Sequence, residues 1–159
     1  MKPSYLILLS FLLFSFIVPV NSIDYQIIRK IEVKNVYGKK TQNIESIIVE
    51  CLNKTTNDLT FKLKSNSSLV EKTKVGNCVG YTKYFNRMFI SKLNENGYGN
   101  IVVTHARAKV LMMGTSVHFI NSNSLKDHDI SVIYNKTTNE TYFVDPSLSE
   151  VFGNIILKR

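Results

Sequence analysis

Apolar and polar positions follow two different periodicities along this chain, a helical one first and a strand-like one afterwards. Apolar side chains recur every three or four residues over 44–52 and again over 81–93, which predicts two amphipathic helices. The polar run 53–58 is expected to end the first helix, and Gly97 to end the second. Cys78 would then lie at or beside the start of the second helix.

Beyond residue 100, short apolar runs rich in β-branched and aromatic side chains predict strands. These runs are 101–103, 108–113, 116–120, 130–134 and 141–144. Helices followed by strands predict an α+β domain with an antiparallel sheet. The earlier segment 27–36 mixes apolar and basic residues, and its pattern fits either a short strand or an irregular entry to the domain.

The first 22 residues have the pattern of a secretory signal peptide. Lys2 precedes an apolar run over 5–20, and small or tolerated residues follow at the expected cleavage site. This run is short for a membrane-spanning helix of about 20 residues. We therefore expect residues 1–22 to be removed and 23–159 to form one secreted or periplasmic domain without stable membrane insertion. An uncleaved membrane anchor is the alternative.

The chain is basic, with 20 Lys and Arg against 12 Asp and Glu and a formal net charge of +8. Because Lys2 leaves with the signal peptide, the mature charge is about +7, which favours an acidic partner. The basic residues are spread along the sequence rather than grouped with aromatic ones, which argues against nucleic-acid binding. No phosphate-binding glycine loop and no metal-ligand spacing of Cys and His occur, so no cofactor is expected.

The two cysteines can be read in two ways. In an oxidising compartment, a disulfide between Cys51 and Cys78 is a reasonable structural role for both. However, Cys51 falls on the apolar stripe of the first predicted helix, where an unpaired cysteine serves as a small core residue. The pattern favours a free Cys78.

Cys78, His128 and Asp145 supply a thiol, an imidazole and a carboxylate in the chain order of one type of cysteine enzyme. A thiol is only slightly ionised at neutral pH, and it becomes a strong nucleophile when an imidazole takes its proton and a carboxylate orients that imidazole. The start of a helix adds to this effect, because its N–H groups and partial positive charge stabilise a thiolate and can receive an oxyanion.

The segment 130–144 is typical of two strands joined by a polar turn. If the loop consists of residues 136–139, Asn135 faces the first residue after the loop. His128 and Asp145 then become diagonal neighbours on one face of the sheet. A change of one residue in loop length would reverse this relation.

In this register, the apolar residues beside the pair would pack on the helix that begins at Cys78. Each residue also has a simpler reading: His128 lies between two acidic residues and is open to a solvated role, and Asp145 precedes a proline as turn residues often do. His105 and His118 are rivals for the catalytic base, but neither has an acid at the end of a neighbouring hairpin strand.

Three segments in order resemble motifs of the transglutaminase-like superfamily: Gly-Asn-Cys-Val-Gly-Tyr at 76–81, Ala-Arg-Ala-Lys-Val at 106–110, and the His-to-Pro hairpin at 128–146. The resemblance covers roughly residues 41–150. It implies a papain-like core, in which N-terminal helices carry the nucleophile at a helix N-terminus and pack on an antiparallel sheet.

By this resemblance, Cys78 is the nucleophile that attacks an acyl carbon, His128 is the general base and acid, and Asp145 orients His128. The implied reaction is acyl transfer from an amide bond of a protein or peptide, to water or to an amine. A cysteine protease shares this acyl-enzyme chemistry. The competing class is a catalytically inactive secreted binding or structural module of the same fold.

The chain departs from the family pattern at the expected oxyanion site. It contains no Trp, whereas some relatives use an indole as an oxyanion donor, and Ile130 stands where most relatives carry an aromatic residue. The second oxyanion donor is therefore unassigned, and the backbone N–H of Cys78 is the donor that we expect. No loop of spaced acidic ligands is present, so the calcium dependence of some relatives is not carried over.

Overall fold

The computed structural model describes residues 23–38, 44–112, 115–116 and 128–159. The predicted signal peptide, His118 and most of the predicted strand 116–120 lie outside the described residues. In the part that is described, no helix has both the length and the apolar character needed to cross a membrane.

The described elements form an α+β structure with an antiparallel sheet, as the sequence predicts at this level. Strands β1 to β8 are Ile23–Val36, Thr60–Phe61, Val75–Gly76, Ile101–Met112, Thr115–Ser116, His128–Asn135, Glu140–Val144 and Ile156–Lys158; helices α1 to α4 are Glu45–Asp58, Val70–Thr73, Cys78–Glu95 and Ser149–Phe152. The sheet order is β1-β4-β6-β7-β8, with β5 paired to β4, while β2 and β3 form a separate parallel pair.

Helix α1 is longer than its apolar period predicts. The polar run 53–58 was expected to end it at about residue 52, but the helix continues to Asp58. Thr55 explains the difference, because it continues the buried stripe and its hydroxyl donates to the carbonyl of Cys51, 2.7 Å away. Lys54 and Asp58 add an ion pair across the last turn.

Strand β1 corrects the predicted order of helices before strands. It precedes both long helices, and 12 of its 14 residues pair antiparallel with β4. Register shifts between Ile27 and Arg29 and between Lys30 and Glu32 interrupt the alternation, so the segment has no clear period of two. Because of this irregularity, the sequence pattern does not distinguish a short strand from an irregular entry to the domain.

Strand β4 joins the two runs that were predicted as separate strands at 101–103 and 108–113. It is continuous because β1 and β6 pair with it on its two sides. The polar residues in the middle of β4 therefore also belong to the ladder of backbone hydrogen bonds. Thr104 and His105 are consequently buried. The centre of the sheet therefore contains polar side chains that require partners.

Two hydrophobic cores lie on opposite faces of the sheet. The helix-side core packs α1 and α3 on the sheet and includes Ile48, Leu52, Phe85, Phe89, Val103, Ile133 and Val144. The β1-side core includes Ile23, Tyr25, Ala106, Ala108, Ile130, Phe143, Leu148 and Ile155. Because side chains alternate along a strand, successive residues of β6 belong to different cores.

We expect Leu52→Ala to lower the free energy of unfolding by about 3 kcal/mol, because it leaves a cavity at a fully buried position of the helix-side core. Urea unfolding followed by circular dichroism measures the change. Leu63→Ala is the matched control: Leu63 is 47% exposed. The same truncation there should cost less than about 0.5 kcal/mol. Equal losses in the two variants would contradict the assignment of Leu52 to the core.

Candidate active site

Cys78 is the first residue of helix α3, as the sequence predicts. The preceding Asn77 caps the helix, since its side-chain oxygen accepts a hydrogen bond from the N–H of Gly80 at 3.1 Å. Gly76 allows a close approach at this point, because a Cβ there would lie 3.1 Å from atoms of both Tyr81 and Val70. The local sequence therefore fixes the thiol at the N-terminal end of α3, the longest of the described helices.

The electrostatic environment of Cys78 differs from the expected one. Burial raises the pKa of the Cys78 thiol to about 11, and the carboxylates of Asp129 and Asp145 raise it as well. Backbone N–H groups of Asp129 and Val79 act in the opposite direction but are outweighed. The thiol is thus neutral at rest, and the helix start does not convert it into a thiolate.

The hairpin of β6 and β7 has the predicted register. Asn135 pairs with Glu140, and the loop between them is residues 136–139. The side chain of Asn135 holds the turn by accepting a hydrogen bond from the N–H of Thr137 at 3.0 Å, and Asn139 takes a positive φ of 60°. This register brings His128, at the start of β6, close to Asp145, which directly follows β7.

His128 and Asp145 form a buried pair. The Nε2 atom of His128 lies 3.0 Å from Oδ1 and 2.8 Å from Oδ2 of Asp145. The hydroxyl of Ser147 lies 3.2 Å from the same ring nitrogen and donates to Asp145 Oδ1 at 3.2 Å. His128 is only 2% exposed and Asp145 is fully buried, which excludes the solvated reading of His128.

Two further donors hold the Asp145 carboxylate. The hydroxyl of Tyr25 donates to Oδ2 at 2.8 Å, and the N–H of Leu148 donates to Oδ1 at 3.0 Å. The hydrogen bond from Leu148 is the turn interaction expected if Asp145 is a turn residue. Asp145 therefore stabilises the turn and also orients the imidazole of His128. Burial alone would raise the pKa of Asp145, but His128 and the hydrogen-bond donors outweigh it and hold the pKa below its ordinary value.

The Asp145 contact determines which nitrogen of His128 is basic. An ionised carboxylate only accepts hydrogen bonds, so the neutral ring carries its proton on Nε2 and directs it at Asp145. Nδ1 is then the nitrogen whose lone pair can take a proton. Oriented in this way by a carboxylate, an imidazole has the arrangement of a general base.

The position of helix α3 corrects one expectation about the hairpin. The apolar residues on the His128 side of the hairpin, such as Ile130 and Phe143, belong to the β1-side core, whereas α3 packs on the other face. The helix reaches the start of β6 through Asp129 instead. Cys78 Sγ lies 3.8 Å from Asp129 Oδ2, and the hydroxyl of Thr82 donates to the Asp129 carbonyl at 2.9 Å.

Asp129 is the residue of this region that the sequence did not single out. It is 1% exposed, and its Oδ1 lies 2.8 Å from Nε2 of His105, which is 2% exposed. Arg107 lies 3.7 Å from Oδ2. His105 therefore does have an acid on a neighbouring strand. The alternation of β6, which turns Asp129 towards α3, is the signal in the sequence that could have identified it.

An open cavity of about 520 Å³ lies on the helix side of the sheet. Its lining includes Lys34, Lys83, Arg87, Asn86, Glu32 and His105. Among the described lining residues, His105 is the link to the site, through Asp129; Cys78, His128 and Asp145 are not among them. The cavity thus lies beside the candidate catalytic residues but is not lined by them.

Cys51 and Cys78 are both free, and Cys51 is buried in the helix-side core as its position on the apolar stripe predicts. Over the described ranges, no group of three or more His, Cys, Asp and Glu side chains is arranged to hold a metal ion. Comparisons with protein-family models, with curated proteins and with solved structures found no match for this chain.

We expect Cys78 to react slowly with iodoacetamide at neutral pH. With the pKa of the thiol near 11, labelling should be roughly 100-fold slower than that of a small free thiol, and it should accelerate as the pH rises towards this value. Peptide mass mapping separates Cys78 from Cys51, which should react more slowly because it is more deeply buried. Rapid labelling of Cys78 at neutral pH would contradict the raised pKa.

We also expect Asp145 to contribute to acid stability. Because its folded-state pKa is lowered, the ionised carboxylate stabilises the fold above its ordinary pKa, and this contribution is lost as the pH falls through the folded-state value. Urea unfolding should therefore show the wild type losing stability below about pH 4, and Asp145→Asn losing less over the same range. The same dependence in both proteins would contradict this role.

Proposed function

We propose that this protein is a transglutaminase-like cysteine enzyme that transfers or hydrolyses acyl groups of amide bonds in a protein or peptide substrate. The observation that carries the proposal is the buried His128–Asp145 pair, whose contact through Nε2 makes Nδ1 the basic nitrogen. A papain-like core and a secreted or periplasmic location belong to the same proposal, on the motif order and the N-terminal pattern.

In the proposed reaction, Cys78 Sγ attacks the amide carbon, and its proton moves to Nδ1 of His128 as the S–C bond forms. His128 directly precedes Asp129, the residue whose carboxylate contacts the sulfur, and Asp145 also acts on the charge of the thiol. A general base that acts during attack suits a thiol that is neutral at rest. The imidazolium then gives this proton to the leaving amine as the C–N bond breaks, which yields a thioester. Water or a second amine then attacks the thioester carbon and passes a proton through His128 to the departing sulfur as the C–S bond breaks. This step releases the acid or the new amide and regenerates the thiol.

Two features of the site stabilise the charges that form during the reaction, which are the oxyanion and the imidazolium. The backbone N–H of Cys78 belongs to the first turn of α3, where N–H groups have no carbonyl of the same helix to pair with, so it is the proposed oxyanion donor. The Asp145 carboxylate stabilises the imidazolium that forms on His128. The pair therefore orients the base and also compensates its charge.

The substrate that we propose is a protein or peptide, with acidic segments favoured. Support comes from the net charge of the chain. In the cavity near His105, Lys34 pairs with Glu32 and Arg87 pairs with Glu71, so Lys83 gives the described lining a small positive excess. No cofactor enters the proposed steps, because thiol, imidazole and carboxylate suffice for this acyl chemistry.

A catalytically inactive binding or structural module is the second candidate. The specific observation in its favour is the environment of Cys78, whose sulfur contacts Asp129 and whose pKa is raised. A carboxylate beside a thiol opposes ionisation, which is unusual for an activated nucleophile. The two candidates differ in whether His128 affects the reactivity of Cys78.

We expect the mature protein to incorporate a fluorescent amine into an acidic glutamine-containing protein, or to release ammonia from it. Cys78→Ser should abolish this activity, because the weaker nucleophile is not activated. His128→Ala should lower it at least about 100-fold through loss of the general base. Mass spectrometry of the product and a coupled ammonia assay measure the two outcomes.

Cys51→Ala is the matched control and should keep the activity, because Cys51 lies in the helix-side core away from the His128–Asp145 pair. Asp145→Asn should reduce the activity while urea unfolding still reports a folded protein. An inactive wild type, combined with Cys78 labelling that is indifferent to His128→Ala, would overturn the enzyme proposal and favour the binding module.

A further inference from the structure

Asp129 connects the N-terminus of helix α3 to strand β6 through two contacts. Its Oδ2 is the atom 3.8 Å from Cys78 Sγ, and its carbonyl accepts a hydrogen bond from the hydroxyl of Thr82 at 2.9 Å. At 1% exposure, the carboxylate is shielded from water, so its charge acts on the thiol with little screening. The geometry is that of a thiol donating to a carboxylate.

Two residues of β4 hold this carboxylate in place. Nε2 of His105 contacts Oδ1 at 2.8 Å, and the guanidinium of Arg107 lies 3.7 Å from Oδ2, the oxygen that faces the sulfur. Neither contact is required by the proposed acyl chemistry, which uses His128 and Asp145. The three residues therefore form a polar cluster that the proposed mechanism does not use.

The charged and titratable groups of this region come from two strands and from the turn that follows a third. Strand β4 contributes His105 and Arg107, β6 contributes His128 and Asp129, and Asp145 follows β7. The side chain of Asp129 contacts the sulfur. Arg107 is the fixed positive charge of the cluster, because an arginine stays protonated in proteins.

We propose that Asp129 is a positioning residue that holds the Cys78 thiol in its protonated resting form, and that Arg107 limits the strength of this restraint. The proposal deepens the proposed function, because it concerns the same thiol, and it rests on that function only for the catalytic importance of Cys78. It accounts for a nucleophile that stays protonated until His128 takes its proton during attack. A neutral thiol is protected from oxidation and alkylation, since both reactions require the thiolate.

The test is the pH dependence of iodoacetamide labelling of Cys78 in the full chain, followed by peptide mass mapping. Asp129→Asn keeps an oxygen that can accept from His105 but removes the charge, so the midpoint of labelling should fall by about one pH unit, which is roughly a tenfold faster reaction below the midpoint. Arg107→Gln leaves the carboxylate less compensated and should raise the midpoint by about half a unit.

Arg107→Lys is the matched control, because it preserves the positive charge, and its midpoint should stay near that of the wild type. A merely structural role for Asp129 would not shift the two charge-changing variants in opposite directions. An unchanged or raised midpoint in folded Asp129→Asn would overturn the proposal. If Asp129→Asn does not fold, the comparison of Arg107→Gln with Arg107→Lys decides, and equal midpoints would overturn it.

The labelling readout needs no substrate, which separates this proposal from the proposed function. Opposite shifts in Asp129→Asn and Arg107→Gln, together with an inactive wild type, would support the restraint and reject the enzyme. An active wild type whose labelling midpoint does not respond to either variant would support the enzyme and reject the restraint.

Discussion

The buried carboxylate of Asp145 is the constraint on which this structure depends most. A fully buried charge is costly unless it is paired and hydrogen bonded. The Asp145 carboxylate pairs with His128 and accepts hydrogen bonds from the hydroxyls of Tyr25 and Ser147 and from the N–H of Leu148. These partners come from both ends of the described chain and from the hairpin between them. Satisfying one carboxylate therefore fixes strand β1, the start of β6 and the turn after β7 relative to one another.

The hairpin is the part of the site that the sequence predicts best, because its evidence is local. A polar loop at 136–139 between two apolar runs determines which residue faces which, and the pairing of Asn135 with Glu140 follows this prediction. The contact of His128 with Asp145 is then a geometric consequence. The helix start at Cys78 is similarly local, since Asn77 caps it.

The remaining parts of the site depend on interactions between distant segments, which a single sequence does not reveal. The partner of Asp145 at Tyr25 is 120 residues away, and the irregular register of β1 hides the strand that carries it. The burial of Asp129 depends on which face of the sheet α3 covers. That choice also determines the environment of Cys78, where burial outweighs the helix N-terminus that the sequence emphasised.

The bond from Tyr25 to Asp145 has a consequence for the order of folding. Contacts between residues far apart in sequence form slowly, because the intervening chain must lose entropy before they are made. The hairpin and α3 can form from neighbouring residues, whereas the Tyr25 donor arrives only when β1 has joined β4, and Arg159 meets Asp24 in the same region. We therefore expect the carboxylate that orients the imidazole to gain its full set of partners only after the N-terminal strand has docked.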